Sequence, residues 1–234
     1  MDPRLRSSRA HVLVAPGSLH TGTGTGTSPA IDDDVEHHLR RVLRLRDGDV
    51  VSVTDGAGAW QLTSVVDGGA WHLEPTSDVE AEAPPPAPIE IAAAMPKGDR
   101  LDWLVQKVTE VGADRLTLLH ADRSVVRWKP ERAPHQLARL QRIADEACRQ
   151  SRRVWRLTVD GPVEAADVLR DHLVADPGGR PIRAGDRRVA IGPEGGWSDE
   201  ELARATERVT LTDTILRTET AAVVATTLCV MFER

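Results

Sequence analysis

The stretch IGPEGGWSDEE, residues 191–201, sets a carboxylate, Glu194, between a proline and two glycines where an apolar run gives way to a helix start. Gly192, Gly195 and Gly196 permit positive φ and close approach of backbone to a ligand. The run matches neither G-x-G-x-x-G nor G-x-x-x-x-G-K-[ST], so neither phosphate cradle is indicated. Ser198 followed by Glu201 is a capping box, and that half of the run needs no functional explanation. For the first half, a Gly-rich turn with a solvated Glu194 and a binding loop are equally good readings.

A second cluster lies in LTDTILRTETAA, residues 211–222. Thr218 is placed to cap the last helix, with Glu219 in its first turn. Arg217, Glu219 and Thr220 then gather where backbone N–H groups lack partners. A capped helix with a flanking ion pair explains Thr218 and Glu219, but not Arg217 beside the apolar Ile215 and Leu216. Basic residues form a third signal. Arg139, Arg142, Arg149 and Arg153 share a face of a helix near 134–151, and CRQSRRVWR holds four arginines in nine residues. HHLRRVLRLR adds Arg40, Arg41, Arg44 and Arg46. In a chain of net charge −6, two local basic patches fit an electrostatic footprint. A solvated helix face is the alternative.

The elements that must hold these residues follow from pattern and punctuation. VEAEAPPPAPIE, residues 79–90, has a proline density that ends helices and strands alike. Before it, AHVLVA, DVVSVTD, AWQLTSVV and AWHLEP read as short strands with Asp-Gly turns, which indicates a small antiparallel barrel. One helix, DDDVEHHLRRVLRL, interrupts them, and TGTGTGT at 21–27 is expected to be a mobile loop. After it, strands alternate with helices: IEIAAAM, DRLDWLVQKVTEVGA, RLTLLH, the 134–151 helix, a weaker strand near 155–159, RRVAIGP, SDEELARAT, RVTLT and TETAAVVATTLCVMFE. That alternation predicts a mostly parallel α/β sheet, whose ligands sit beyond the carboxyl ends of strands. The 191–196 loop is at such an end. With six Trp, one Phe and no Tyr, aliphatic residues must fill the core. No apolar run is long enough to span a membrane, and the start MDPRLRSSRAHVLV lacks the apolar region of a signal peptide. Cys148 and Cys229 lack metal-ligand spacing and read as buried hydrophobes of a cytoplasmic protein.

Taken together and in order, HHLRRVLRLRDGD, KGDRLDWLVQKVTEVGA, ADRSVV, EACRQSRR, IGPEGGWSDEE and ILRTETA resemble the RsmE family of small-subunit ribosomal RNA uridine-N3 methyltransferases, in the SPOUT superfamily. The resemblance covers nearly the whole chain. It implies a PUA-like β-barrel over residues 1–80, a Pro-rich linker at 81–88, and an α/β domain with a C-terminal trefoil knot over 89–234. It also implies S-adenosylmethionine as methyl donor without a metal, a 16S ribosomal RNA substrate, a homodimer and no membrane. Carried onto this chain, Gly192, Pro193, Glu194, Gly195, Gly196, Leu211, Ile215, Leu216 and Thr220 would hold the donor. Arg153, Arg217, Glu219 and Gln150 would serve catalysis, and His38, Arg44, Lys97, Lys107 and Arg123 would contact RNA.

Methylation at uridine N3 requires loss of a weakly acidic proton, so guanidinium groups such as Arg153 or Arg217 suit the charge that develops. Glu194 and Glu219 are both candidates for orienting groups or accepting the proton. The chain departs from the family pattern at Thr212, which stands where Gly is usual, at Arg152, which replaces a common Gly, and at Leu157, where the nearby Pro is absent. The first strand also lacks its aromatic. Two other classes compete: a non-catalytic RNA-binding protein using the barrel and Arg patches, and a dinucleotide oxidoreductase, which lacks its fingerprint.

Overall fold

Short apolar runs build two separate sheets in this protein, each with its own buried core. The computed structural model describes residues 2–19 and 28–232; the TGTGTGT run falls outside them. The chain divides into two units, Met1–Pro85 with Cys148–Arg156, and Pro86–Ala147 with Leu157–Arg234.

In the first unit, Asp2 opens α1 (Pro3–Ser7) by accepting the backbone N–H of Arg4 at 2.8 Å. Then come β1 (Ala10–Leu13), α2 (Asp33–His37), β2 (Val50–Thr54), β3 (Ala59–Val66), β4 (His72–Pro75) and the short β5 (Glu80–Ala81). The sheet runs β1-β2-β3-β4, with β5 also on β3. The expected antiparallel pairing holds for β2, β3, β4 and β5, but β1 pairs β2 in parallel. The connection between β1 and β2 carries α2, long enough to bring the chain back to the same end of the sheet. The helix expected over 32–45 is shorter, because α2 runs on into a wider π turn, His38–Val42. Val12, Val51, Val53, Val65 and Leu73 form the core with Leu39 beneath them. A smaller cluster joins Leu5, Trp60 and Val154. The weak strand expected near 155–159 therefore begins only at Thr158, because Val154 and Trp155 are packed in the first unit instead.

The second unit contains β6 (Glu90–Ala94), α3 (Arg100–Val111), β7 (Arg115–His120), α4 (Ala133–Ser151), β8 (Thr158–Glu164), β9 (Leu173–Pro181), β10 (Arg188–Ile191), α5 (Asp199–Leu202), β11 (Arg208–Thr210) and α6 (Thr218–Phe232). The last turn of α4 is counted with the first unit. Its sheet has the order β11-β9-β10-β6-β7-β8, parallel at every pairing. Both faces are buried, as parallel sheets require. Ile91, Ala93, Leu116, Leu118 and Val189 pack under α3, α4 and α6. Ala92, Leu119, Val174 and Ala190 meet Leu169 and Trp197 on the other face. On α3, Leu101, Leu104, Val105 and Val108 are buried at helical spacing, each worth ~1.5–3 kcal/mol against exposure. No helix among the described residues is long and apolar enough to cross a membrane.

Two further elements, both in this unit, depart from expectation. β9 was not anticipated; Asp176, Pro177, Gly178, Gly179 and Pro181 are of types common in turns. It pairs β10 through Leu173 and Val174, and its pairing with β11 jumps from Val174 to Arg180. The residues between bulge out of the sheet. The helix expected over SDEELARAT is only four residues long. Past Leu202 its bonds tighten to three-residue turns, Arg204 N–H to Glu201 O and Ala205 N–H to Leu202 O.

Candidate functional site

β10 ends at Ile191, and the loop that follows is a tight turn in which Gly196 N–H bonds Pro193 O at 2.8 Å. Gly196 has φ +71°, a value glycine adopts without strain. A Cβ on Gly192 would stand 2.9 Å from the Trp197 ring, so only glycine lets that indole tuck beneath the loop. Trp197 is buried, and its Nε1 donates to Ala175 O at 3.1 Å, tying the loop to the bulge of β9. The capping box is present: Ser198 Oγ accepts Glu201 N–H at 3.1 Å, and Glu201 Oε2 accepts Ser198 N–H at 2.8 Å. It also does more than cap. Glu201 Oε1 accepts Asp122 N–H at 2.9 Å, and Ser198 Oγ donates to Asp122 Oδ2 at 2.5 Å. The 121–124 turn is thereby anchored, and Arg123 Nη1 donates to Gly195 O at 3.2 Å.

The segment after β11 closes over this loop. Thr218 is the first residue of α6, and its hydroxyl donates to Gly192 O at 2.9 Å rather than capping its own helix. A cavity of ≈ 390 Å³ lies between the segments, lined by residues 175–177, 191–197, 210–212 and 214–216 with Thr218 and Ala221. Its walls alternate apolar side chains, Ile191, Leu211, Ile215 and Leu216, with loop backbone. Ile215 is an apolar side chain left 82% exposed. Thr212 is among the lining residues; its Oγ donates to Thr214 O at 2.9 Å, and its φ is not in the left-handed region. A second cavity of ≈ 630 Å³ is lined by Arg100, Glu194, Ile215, Leu216 and Arg217.

Residues 83–230 match the sequence profile of an RNA methyltransferase domain, and residues 31–72 that of an RNA methyltransferase PUA domain. The ribosomal RNA small subunit methyltransferase E of Synechocystis is 32% identical, over 92% of this chain and 75% of that protein. The protein of the same name in Mycobacterium bovis is 30% identical, over 86% and 85%. The chain belongs to the ribosomal RNA small subunit methyltransferase E family. Its fold is that of the Neisseria gonorrhoeae ribosomal RNA small subunit methyltransferase E bound to S-adenosyl methionine, with TM-score 0.77 and 25% identity, over 93% of this chain and 94% of that one.

In this family member, Gly192, Pro193, Glu194, Gly195, Gly196, Leu211, Ile215 and Leu216 share the first cavity, whereas Thr220 is half-buried in α6 and outside its lining. Arg217 is exposed in the second cavity. Glu219 is buried, with Oε2 lacking any partner and Oε1 3.7 Å from Arg100 Nη1. Arg100 was not among the residues anticipated. It opens α3, and its Nη1 also pairs with Glu194 Oε1. That hydrogen bond holds the Glu194 carboxyl below its ordinary range, with Arg217 and Lys97 adding to the effect. Asp176 and Pro177, also unanticipated, reach the cavity through the bulge in β9. Lys97 and Arg123 are exposed, and Lys107 is paired with Glu110 at 2.8 Å. Gln150 and Arg153 belong to the first unit, as do the exposed His38 and Arg44. There, Arg153 O accepts from His11 Nε2 at 3.1 Å and from Cys148 Sγ at 3.2 Å.

Proposed function

We propose that this protein transfers a methyl group from S-adenosylmethionine to N3 of a uridine in 16S ribosomal RNA, acting in the cytoplasm. The observation that carries the reading is the ≈ 390 Å³ cavity at the end of β10, walled by two segments the chain brings together. Its chemistry fits the donor. Leu211, Ile215 and Leu216 offer an apolar slot for a purine, and the backbone of 192–196 and 210–212 offers amide and carbonyl partners, as small-molecule sites commonly do. Bound there, S-adenosylmethionine supplies an electrophilic sulfonium methyl. The chain's own part is to position uridine, shed its N3 proton and stabilise the resulting negative charge, for which guanidinium groups are suited.

The same reading takes residues 1–80 as a PUA-like β-barrel, 81–88 as a linker and 89–234 as a SPOUT domain. The trefoil knot is part of this reading, supported by the passage of 211–217 beside the 192–196 loop and the Thr218 bond to Gly192. It assigns Gln150, Arg153, Arg217 and Glu219 to the uridine and its phosphates, and His38, Arg44, Lys97, Lys107 and Arg123 to flanking RNA. A homodimer is part of the proposal, supported by the apolar side chains of Trp103, Met231 and Phe232 exposed on α3 and α6, two helices that pack together.

Incubation with methyl-labelled donor and small ribosomal subunits tests this. Label is expected on the N3 of one uridine. If a preparation that binds donor labels neither assembled subunits nor naked 16S RNA, the protein is an RNA-binding module instead.

A further inference from the structure

We propose that Arg100, Glu194 and Arg217 form a donor–acceptor–donor row that reads the Watson–Crick edge of uracil, with Glu194 taking the N3 proton. This rests on the methyltransferase reading. Three residues, Glu194, Ile215 and Leu216, line both cavities, and among these three only Glu194 is ionisable. A methyl group passing from one cavity to a base in the other must cross the boundary they form. The second cavity is flanked by guanidinium groups, Arg100 and Arg217.

Uracil presents an acceptor, a donor and an acceptor along one edge: O4, N3–H and O2. An ionised carboxylate only accepts and a guanidinium only donates, so the row is its complement. Cytosine presents a donor, an acceptor and an acceptor, and would set N3 against the carboxylate with no proton between them. Arg100 keeps Glu194 ionised, which makes it a hydrogen-bond acceptor in the resting protein. With several N–H groups in its fork, Arg100 can hold Glu194 and still offer one to O4.

The transfer balances. The N3–H bond breaks and an O–H bond forms on Glu194. The electron pair left on N3 forms the N–C bond as the donor's S–CH₃ bond breaks. The proton then leaves Glu194 for water, since its side chain is 53% exposed. While Glu194 is neutral, Arg100 needs another counter-charge. Glu219 supplies it: this side chain is 8% exposed, sits 3.7 Å from Arg100 and has a free Oε2. Glu219 is thus a positioning residue for Arg100 in this scheme.

The test uses donor-free full-length protein titrated with uridine 5′-monophosphate and cytidine 5′-monophosphate, followed by NMR. A hydrogen-bonded base pairing of this kind is worth ~1–3 kcal/mol of discrimination, so uridine should bind roughly 5- to 150-fold tighter. Glu194→Gln, whose amide can donate to cytosine N3, should bring the ratio close to one. Arg100→Ala should weaken uridine binding and Arg100→Lys should restore part of it. In transfer to small subunits, Glu194→Gln should lower kcat by about 10²-fold or more, the scale of a lost general base, and flatten the acid limb of the pH profile. Equal binding of the two nucleotides by the unmodified protein would overturn the proposal, as would undiminished uridine preference in Glu194→Gln. The two readings fail separately. Nucleotide preference without methyl transfer sinks the transferase and leaves the recognition row. Transfer to uridine N3 at full rate by Glu194→Gln sinks the row and leaves the transferase.

Discussion

Arg152, like Arg44 among the described residues, has a backbone at odds with its side chain. It follows α4 with φ +57°, a region ordinarily left to glycine. Its guanidinium compensates, donating to Ser8 Oγ at 2.6 Å and Ser8 O at 2.8 Å. Each hydrogen bond to a charged group is worth ~1.5–3 kcal/mol and a left-handed residue costs about 1–2, so losing both bonds in Arg152→Gly should cost roughly 1–5 kcal/mol net in urea unfolding. A stabilised variant would show that the clamp contributes nothing. Ser8 also bonds Ser52 Oγ, which meets His11 Nδ1 at 2.8 Å. His11 Nε2 donates to Arg153 O, and because burial keeps the ring neutral, Nδ1 accepts from Ser52 Oγ. Burial pushes its pKa down to about 4, opposed by the bond to Arg153 O, with Arg152 and Arg149 lowering it further. The unfolded state therefore binds the extra proton between about pH 6.5 and 4, and stability falls as pH drops through that window. The loss should approach ~3 kcal/mol at its acid end. Thermal melting of His11→Gln across pH 4–7 should show a shallower slope than the unmodified protein; equal slopes would place the acid sensitivity elsewhere.

At the scale of elements, α5 is four residues long yet holds two loops in place. Glu201 is 3% exposed and spends both carboxylate oxygens on backbone N–H groups, Ser198 and Asp122. Glu201→Ala leaves both without partners, a loss of roughly 2–6 kcal/mol at ~1–3 per buried unsatisfied group. The same change frees the 121–124 turn that sets Arg123 against Gly195, so calorimetry should also find weaker donor binding. Wild-type donor affinity in Glu201→Ala would separate the turn from the cavity. The elements themselves were legible to very different degrees. α3, α4 and α6 were readable to within a few residues because buried side chains recur at 3.6-residue spacing. So was the capping box, whose signal is local. β9 was hidden by its own Asp-Pro-Gly-Gly run, which bulges from the sheet and, through Asp176 and Pro177, lines the cavity. Pattern reading treats such residues as the end of a strand, whereas here two short paired stretches flank them.

Over the whole molecule, the balance of charge sets how RNA is held. The net charge is −6, so binding must rely on local cations. Arg44, Lys97 and Arg123 are exposed, while Lys107 is engaged by Glu110. Three phosphate contacts on a single strand give a slope near −2 in log K against log salt, or roughly 20-fold weaker binding between 50 and 200 mM. Filter binding to 16S RNA fragments measures this, and a salt-independent affinity would contradict a phosphate footprint at these residues. The sequence by itself determined the parallel α/β sheet, the main helices and the family, because each is written in short-range periodicity or in motifs that keep their order. Only the tertiary structure decided which charges meet. Arg100 and Glu194 are 94 positions apart, and Glu219 lies still further along the chain. Nothing in local spacing pairs them. Their meeting follows from the parallel sheet, which brings the loop after β10 and the starts of α3 and α6 together, so that the carboxylate between proline and glycines becomes the partner of an arginine.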